Sequence, residues 1–227
     1  MAPTAREARA IGRACRPVGS GEAASEKLAA LLREQRPDTL LILGLCGGLD
    51  PSLATGDLIL AREVIDEAGE ALQPPPTTLA SARRALRNEG PNFVSSRLLT
   101  MREPVATREA KRDLWNIHGA AGVDMETAGF ARAATEQGVD WMALRVVIDP
   151  AGATLPAALQ KWDGDEDEGA IVRGIVKRPK EWLAYGRLAA GLRPAFRALR
   201  AGARIVARVS RDTVPLGDDL LAPAPPR

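Results

Sequence analysis

Hydrophobic residues along the chain switch between helical spacing and short extended runs. Leu28, Leu31 and Leu32 recur at helical spacing within residues 25–35, and the run 39–43 that follows is typical of a buried strand. By the same criteria, strands are predicted over 57–61, 92–100, 120–124 and 141–148, and helices over 79–87, 107–117 and 126–137. This alternation favours an α/β fold with a mixed, mainly parallel central sheet flanked by helices.

Three polar features follow predicted strands. The glycine-rich segment 44–51 is predicted to be a loop after the first strand. Glu126 follows the strand 120–124, and Asp149 follows the last predicted strand. In open α/β sheets, ligands bind beyond the carboxyl ends of the strands. We therefore expect these three features to lie on one rim of the sheet.

The C-terminal part of the chain is basic and amphipathic. Pro194 is predicted to begin a helix in which an apolar stripe runs beside a row of arginines. The stripe consists of Phe196, Leu199, Ala203 and Val206, and the arginines are Arg193, Arg197, Arg200, Arg204 and Arg208. Residues 171–211 contain eleven Lys and Arg and one acid, whereas the whole chain carries a net charge of +2. Two interpretations stay open: the stripe packs on the domain, or the helix attaches to an anionic membrane surface.

These changes in pattern predict three segments. Residues 1–169 form the α/β domain, 170–211 a basic helical extension, and 212–227 a disordered tail rich in Pro and Asp. No apolar run approaches the roughly 20 residues that span a bilayer, and the N-terminal residues do not resemble a secretory signal. We therefore expect a cytoplasmic protein, whose basic segment offers a peripheral contact with the inner membrane face.

The available residue types limit the chemistry. Hydrophobic content of 45% and charged content of 26% are ordinary values for a globular protein. Cys15 and Cys46 have neither the number nor the spacing of a disulfide framework or a zinc site, and His118 is the single histidine. We therefore expect no metal and no cofactor, and an Asp or Glu as the general acid or base.

Three blocks of sequence resemble a known set. They are Gly44-Leu45-Cys46-Gly47-Gly48-Leu49-Asp50-Pro51, Val123-Asp124-Met125-Glu126-Thr127-Ala128 and Leu144-Arg145-Val146-Val147-Ile148-Asp149. Each acid alone has an ordinary explanation, since Glu126 complements a helix N-terminus and Asp149 precedes a proline in a turn. Together, their order and spacing over roughly residues 3–152 resemble the purine nucleoside phosphorylase and methylthioadenosine/adenosylhomocysteine nucleosidase superfamily.

The resemblance implies cleavage of the N-glycosidic bond of a purine nucleoside. In the superfamily, the aspartate that matches Asp149 donates a proton to purine N7, and the glutamate that matches Glu126 binds the ribose hydroxyls. Such a reaction develops oxocarbenium character on the ribose and negative charge on the base, so both tasks are needed. A partly dehydrated Asp149 would have the raised pKa that a proton donor requires.

Other positions in and near the blocks complete the expected site. The substrate-binding residues are expected to be Gly47, Gly48, Cys46, Asp124, Met125, Glu126, Val105 and Arg145. The two glycines let the main chain approach the sugar or an anion closely, and Met125 packs under the ribose. Val105 lies near the position where the superfamily often stacks a Phe on the purine. Arg145 either orients the acid or pairs with a buried carboxylate.

Two positions bear on the nucleophile. Leu45 stands where phosphorylases of the superfamily usually place a Ser or Thr that contacts phosphate. Glu7 resembles the N-terminal glutamate that activates water in the nucleosidases, and it is equally explained as a solvent-facing helix residue. Hydrolysis is therefore favoured over phosphorolysis. Phosphate stays open as a co-substrate, with Arg6 as an anion ligand.

A finer resemblance concerns the architecture. The compact N-terminus, the Gly-Gly-Leu-Asp-Pro segment, the Asp149-Pro150-Ala151-Gly152 turn and the basic tail resemble the hopanoid-associated phosphorylases. That resemblance implies release of adenine from adenosylhopane, a lipid-linked nucleoside, and homo-oligomers are usual in the superfamily. The alternative of another class is a non-catalytic nucleotide- or RNA-binding protein. The arginines follow one helix face without interleaved aromatic residues, which argues against nucleic-acid binding.

Overall fold

The computed structural model describes residues 1–2, 18, 21–156 and 182–212. The strands within this part are β1 (Thr39–Gly48), β2 (Leu58–Asp66), β3 (Ala71–Leu72), β4 (Phe93–Thr100), β5 (Ala120–Asp124) and β6 (Asp140–Asp149). The helices are α1 (Gly21–Gln35), α2 (Pro76–Glu89), α3 (Arg108–His118), α4 (Thr127–Glu136) and α5 (Trp182–Asp212). The predicted alternation of strands and helices is confirmed, and β1 and β2 are longer than their apolar runs indicated.

The strands form one mixed sheet in the order β3-β2-β4-β5-β1-β6. An additional pairing between β2 and β6 closes five of the described strands into a ring. The two longest ladders, β1 with β6 and β2 with β4, are parallel, and so is the ladder of β4 with β5. Shorter antiparallel ladders join β1 to β5, β2 to β3 and β2 to β6. The expected mixed, mainly parallel sheet is confirmed.

The glycine-rich segment after the first apolar run is not the predicted loop. Strand β1 continues through Gly48, with a register shift between Cys46 and Gly47. Gly47 pairs with Asp149 of β6 on one side and with Val123 of β5 on the other. Because both neighbouring strands supply ladder partners, the glycines stay in the sheet rather than turning out of it.

Helices cover both faces of the sheet. One core joins α1 and α4 to the strands and includes Leu28, Ile42 and Phe130. The other joins α2 and α5 to the opposite face and includes Leu86 and Leu199. Burying a large apolar side chain contributes roughly 1.5–3 kcal/mol. The two cores therefore hold the strand ends, on which the polar residues sit, in a fixed arrangement.

The basic helix α5 lies along the domain. Three residues of its apolar stripe, Leu199, Ala203 and Val206, are buried, and Phe196 is partly buried against the same core. The arginines of the opposite face are exposed: Arg193, Arg197, Arg200, Arg204 and Arg208. Arg208 also pairs with Glu89 of α2 at 2.9 Å. The predicted basic helix is confirmed, and its stripe packs on the domain.

Pro194 does not begin this helix, contrary to the prediction. Helix α5 begins at Trp182 and contains Pro194 in its interior. An interior proline removes a main-chain hydrogen bond and costs about 3 kcal/mol. Burial of Tyr185 before the proline and of Leu199 after it offsets that cost, at roughly 1.5–3 kcal/mol for each large apolar side chain.

The division into three segments stays a prediction. The boundary between residues 169 and 170 and nearly all of the predicted tail, 213–227, lie outside the described residues. In the described part of the chain, none of the helices combines the length and the apolar character that crossing a membrane requires.

Candidate active site

Asp149 and Gly47 face each other at the ends of neighbouring parallel strands. Asp149 is the last residue of β6 and is only 6% exposed. A Cβ atom built on Gly47 would lie 3.2 Å from Oδ1 of Asp149 and 3.6 Å from Oδ2. The same Cβ would lie 3.3 Å from Cγ1 of Val123. The missing side chain of Gly47 therefore leaves the space into which the carboxylate points.

Lys111 is a residue of this site that the sequence reasoning missed. It is fully buried, and its Nζ donates a hydrogen bond to Oδ2 of Asp149. The same Nζ donates to the main-chain carbonyls of Asp149 at 3.3 Å and of Pro150 and Ala153 at 3.2 Å each. Lys111 stands at helical spacing from Leu114 and Trp115, the partly buried face of α3. A charged residue on that face was the available signal in the sequence.

The environment of Asp149 makes it a weaker acid than an exposed aspartate. Burial is the largest influence and raises the pKa of Asp149 from 3.8 to about 6. The ammonium of Lys111 acts in the opposite direction, through its charge and its hydrogen bond, and limits the rise. A carboxyl group of this kind holds a proton much closer to neutral pH than an ordinary aspartate does.

Arg145 is the cation of a second buried cluster. It comes from β6, has no exposed side-chain surface, and its Nε lies 2.8 Å from Oδ2 of Asp124. Its Nε and Nη2 donate to the hydroxyl of Thr127 at 2.9 and 2.7 Å, and Nη2 lies 3.8 Å from Glu126 Oε2. Of the two predicted alternatives for Arg145, the structure shows the pairing with buried carboxylates rather than a contact with Asp149.

Asp124 is held on both carboxylate oxygens. Oδ1 accepts hydrogen bonds from the Thr100 hydroxyl at 2.8 Å and from the main-chain N–H of Thr127 at 3.3 Å. Oδ2 accepts from the Thr127 hydroxyl and pairs with Arg145. The contacts of Asp124 are thus internal ones, which fix the turn that leads from β5 into α4.

Glu126 occupies the position immediately before helix α4. Its side chain makes no capping hydrogen bond to the helix, and about 12% of it is exposed beside Arg145. Its neighbour Met125 is also only partly buried. The accessible part of this corner therefore belongs to Met125 and Glu126, whereas Asp124 beside them is buried.

The remaining predicted residues are Cys46, Gly48 and Val105, and they lie in or against the end of the sheet that carries Asp149. Cys46 is buried, and burial raises the pKa of its thiol far above the usual value, so the sulfur is a neutral thiol. A Cβ on Gly48 would lie 3.1 Å from Cγ1 of Val147 and 3.4 Å from the Pro150 Cα. Val105 packs on the small apolar cluster that includes Val123, the same valine that lies beside Gly47.

Glu7, expected to activate water, and Arg6, expected as an anion ligand, lie outside the described residues. The geometry of the site therefore rests on β1, β5, β6 and α3, and on the turn from β5 into α4, which carries Met125 and Glu126. Within the described part of the chain, no three His, Cys, Asp or Glu side chains group closely enough to hold a metal ion.

Neither of two cavities on the described surface is lined by Asp149 or Glu126. A cavity of about 360 Å³ adjoins the turn after Asp149. It is lined by Leu49, Pro51, Arg108, Glu109, Arg112, Trp115, Ala151 and Gly152. The larger cavity, about 670 Å³, is lined by residues that include Asp38 and Asp140. These two residues lie where β1 and β6 begin, at the other end of the strands from Gly48 and Asp149. The candidate site is therefore defined by the buried acid and not by either of these cavities.

The fold and the site define a nucleoside phosphorylase-like α/β protein. A sequence model of the family described as the Phosphorylase superfamily matches residues 11–174. The chain belongs to this superfamily of enzymes, as the three sequence blocks predicted. No curated protein sequence matches the chain.

Solved structures with this fold include nucleosidases at low sequence identity. A 5′-methylthioadenosine/S-adenosylhomocysteine nucleosidase from Neisseria meningitidis, in complex with methylthio-immucillin-A, is 18% identical with a TM-score of 0.64. The match covers 85% of this chain and 79% of that one. The native futalosine hydrolase of Helicobacter pylori is 16% identical with a TM-score of 0.65, over 85% of this chain and 77% of that one.

A third similar structure is the corresponding nucleosidase of Colwellia psychrerythraea in complex with adenine. It is 18% identical with a TM-score of 0.64, and the match covers 85% of this chain and 76% of that one. At these identities the likenesses establish the fold, which is the expected one.

Proposed function

We propose that the protein cleaves the N-glycosidic bond of a purine nucleoside and releases the base. The observation that carries the proposal is the buried carboxyl group of Asp149, with a pKa raised to about 6, pointing into the space beside Gly47. A carboxyl group with that pKa is suited to donate a proton near neutral pH. Membership of the phosphorylase superfamily supports the same reaction class.

Asp149 and Glu126 have different tasks in this reaction. Asp149 donates a proton to the leaving purine, so that the electron pair of the C1′–N9 bond departs on a neutral base. Glu126 binds the ribose hydroxyls, and Arg145, 3.8 Å from Glu126, orients that carboxylate from the interior. Met125 lies next to Glu126 and is accessible enough to pack under the sugar.

Adenine is the base that we propose. The Colwellia nucleosidase was crystallised with adenine, which supports this choice for a protein with the same fold. Adenine release from adenosine, methylthioadenosine and a lipid-linked adenosine is the direct assay, with Asp149→Asn as the control. An active wild type and an inactive variant are expected. If wild type and variant both bind adenosine and neither releases adenine, the non-catalytic binding alternative takes the place of this proposal.

We propose water rather than phosphate as the nucleophile. Leu45 presents an apolar side chain that packs with the core on the α5 side of the sheet, so it supplies no hydroxyl for phosphate. Adenine release is therefore expected at the same rate with and without phosphate. A rate that rises with added phosphate would instead identify a phosphate-dependent purine nucleoside phosphorylase.

The finer proposal concerns a lipid-linked substrate, as in hopanoid biosynthesis, met at the cytoplasmic membrane face. The exposed arginines of α5 support an electrostatic contact with anionic lipid. Because the apolar stripe is buried, this contact is made by the charged face without insertion of the helix. Flotation with vesicles containing anionic lipid is expected, and Arg193→Glu combined with Arg197→Glu and Arg204→Glu is expected to abolish it. Equal flotation of both proteins excludes the contact.

We also propose that the protein is a homo-oligomer. Ile117 of α3 is a large hydrophobic side chain that is 72% exposed, and we place it in the surface that a second copy covers. Light scattering coupled to size exclusion is expected to give a mass above 24.1 kDa. Ile117→Lys is expected to shift that mass to the monomer value, and a monomeric wild type excludes the proposal.

A further inference from the structure

The contacts of Lys111 are unusual for a lysine. Its side chain has no exposed surface, and its Nζ is surrounded by Oδ2 of Asp149 and the carbonyl oxygens of Asp149, Pro150 and Ala153. An ammonium has three hydrogens, so these four oxygens share all of them. Removing an ammonium from water is costly, and an apolar side chain of similar length fills the same space. The charge at this position therefore needs an explanation beyond packing.

We infer that Lys111 is a positioning residue that holds Asp149 in place as the proton donor and strengthens it as an acid. The inference rests on the proposed function, because it assigns a further residue to the same site. It concerns Asp149 alone and is independent of the base, of the nucleophile and of the 5′ substituent.

The geometry distinguishes the two oxygens of Asp149. Lys111 binds Oδ2, whereas Oδ1 is the oxygen nearer to the empty space at Gly47, by 3.2 Å against 3.6 Å. With Oδ2 engaged and the turn 149–153 tied to α3 by three carbonyl contacts, the carboxyl group is held against rotation. Oδ1 is then the oxygen that meets the leaving base.

The charge of Lys111 acts on the proton transfer itself. The proton of Asp149 passes to the purine, the bonding pair of C1′–N9 goes to the base, and a carboxylate remains on Asp149. An ammonium in hydrogen-bond contact stabilises that carboxylate and not the neutral acid. Lys111 therefore lowers the free energy of the transition state relative to a site in which Asp149 is buried alone.

The other titratable groups around Asp149 in the described part of the chain do not replace Lys111 in this role. Cys46 on β1 is a neutral thiol because burial raises its pKa. Arg145 on β6 is paired with Asp124 on β5 and contacts Thr127, so its charge is already matched within its own cluster. Among the described residues, Lys111 from α3 is the cation joined directly to Asp149.

The test compares Lys111→Met with Lys111→Arg, which keeps the charge. The pKa of Asp149 is measured by carboxyl ¹³C NMR on the substrate-free protein, with Asp149→Asn to assign the resonance. In Lys111→Met the pKa of Asp149 is expected to rise by about 1 to 3 units, as for loss of an adjacent opposite charge. In Lys111→Arg it is expected to stay near the wild-type value.

Kinetics supply the second readout. In Lys111→Met, kcat/KM for adenine release is expected to fall on the order of 10- to 100-fold, no more than the lower end of the roughly 10²- to 10⁴-fold that a positioned acid contributes in full. The pH above which kcat/KM declines is expected to be higher in Lys111→Met than in the wild type, because activity needs protonated Asp149. This declining part of the pH profile is its alkaline limb. A residue that only supports the fold would lower the rate without moving the limb. Asp113→Asn, on the exposed face of the same helix, is the matched control and is expected to leave the limb in place.

The outcomes separate this inference from the proposed function. An unchanged pKa of Asp149 in Lys111→Met overturns the role of Lys111, whatever the activity. A wild type that releases no base overturns the proposed function, while the NMR comparison still decides whether Lys111 controls the acid. If Lys111→Met does not fold, Lys111→Gln keeps hydrogen-bond donors without the charge, and the same rise in the pKa of Asp149 is expected from it.

Discussion

The main chain of Gly47 and the side chain of Asp149 share one small space at the end of the sheet. The parallel register of β1 and β6 pairs the two residues, and a Cβ on Gly47 would lie 3.2 Å from Oδ1 of Asp149. The glycine therefore has a defined task, which is to leave room beside the acid. A substrate atom that accepts the proton of Asp149 needs that room.

Gly47→Ala tests this relationship. The added methyl group is expected to displace the carboxylate by a few tenths of an ångström, because Val123 on the other side is buried and packed. We expect kcat/KM for adenine release to fall by about 10- to 100-fold, since small displacements of reacting groups are costly. Gly186→Ala is the control, because a Cβ there meets no atom within 4 Å. Wild-type activity in Gly47→Ala would show that the space is not used.

The pKa of Asp149 predicts the pH dependence of the reaction. The acid must be protonated to act, and burial raises its pKa from 3.8 to about 6. The protonated fraction is therefore complete at low pH and falls as pH rises through about 6. We expect kcat/KM, which reports the free enzyme, to decline about tenfold per pH unit above that value. A wild-type profile that is level between about pH 5 and 8 would contradict the assignment of Asp149 as the acid.

Arg145 is expected to be essential for stability. Replacing it by Met leaves Asp124 buried without its cation, and losing one partner of a buried pair costs about 3–5 kcal/mol. Arg132, about 38% exposed and paired with Asp66 and Glu70, is the contrasting position. Arg132→Met is expected to cost at most about 1 kcal/mol. Urea denaturation measures both free energies of unfolding, and equal losses would show that burial of Arg145 is not decisive.

The packing of α5 gives a separate prediction about the C-terminal helix. Leu199 is completely buried against the sheet and α2, so Leu199→Ala is expected to lower the free energy of unfolding by about 2–5 kcal/mol. Arg197, exposed on the other face, is expected to tolerate alanine within about 0.5 kcal/mol. Thermal unfolding of the two variants checks this. If Leu199→Ala is as stable as the wild type, α5 does not remain docked on the domain in solution.

Much of the fold was predictable because its signals are local. The helical spacing of Leu28, Leu31 and Leu32 and the strand 120–124 both reflect which face of one element is buried, and the structure contains both elements. The association of Glu126 and Asp149 with strand ends was predictable for the same reason. Local pattern did not distinguish a glycine loop from a glycine strand end, because that choice depends on whether neighbouring strands supply hydrogen-bond partners.

The structure differs from the sequence reasoning mainly where partners are distant along the chain. Lys111 and Asp149 are 38 residues apart in the sequence, and the spacing of hydrophobic residues does not predict that they pair. The backbone preference of Pro194 alone predicts the start of a helix. In the structure α5 continues through Pro194, because its apolar stripe is buried against the domain.

By itself, the sequence determined the alternating elements, the superfamily and the acids at the strand ends, because periodicity and motif spacing are properties of short segments. Only the tertiary structure decided how those acids are paired: Asp149 with Lys111, and Asp124 with Arg145. The pKa of Asp149 depends on this tertiary packing. Burial and a neighbouring charge set it, and both arise only when β6 and α3 pack together.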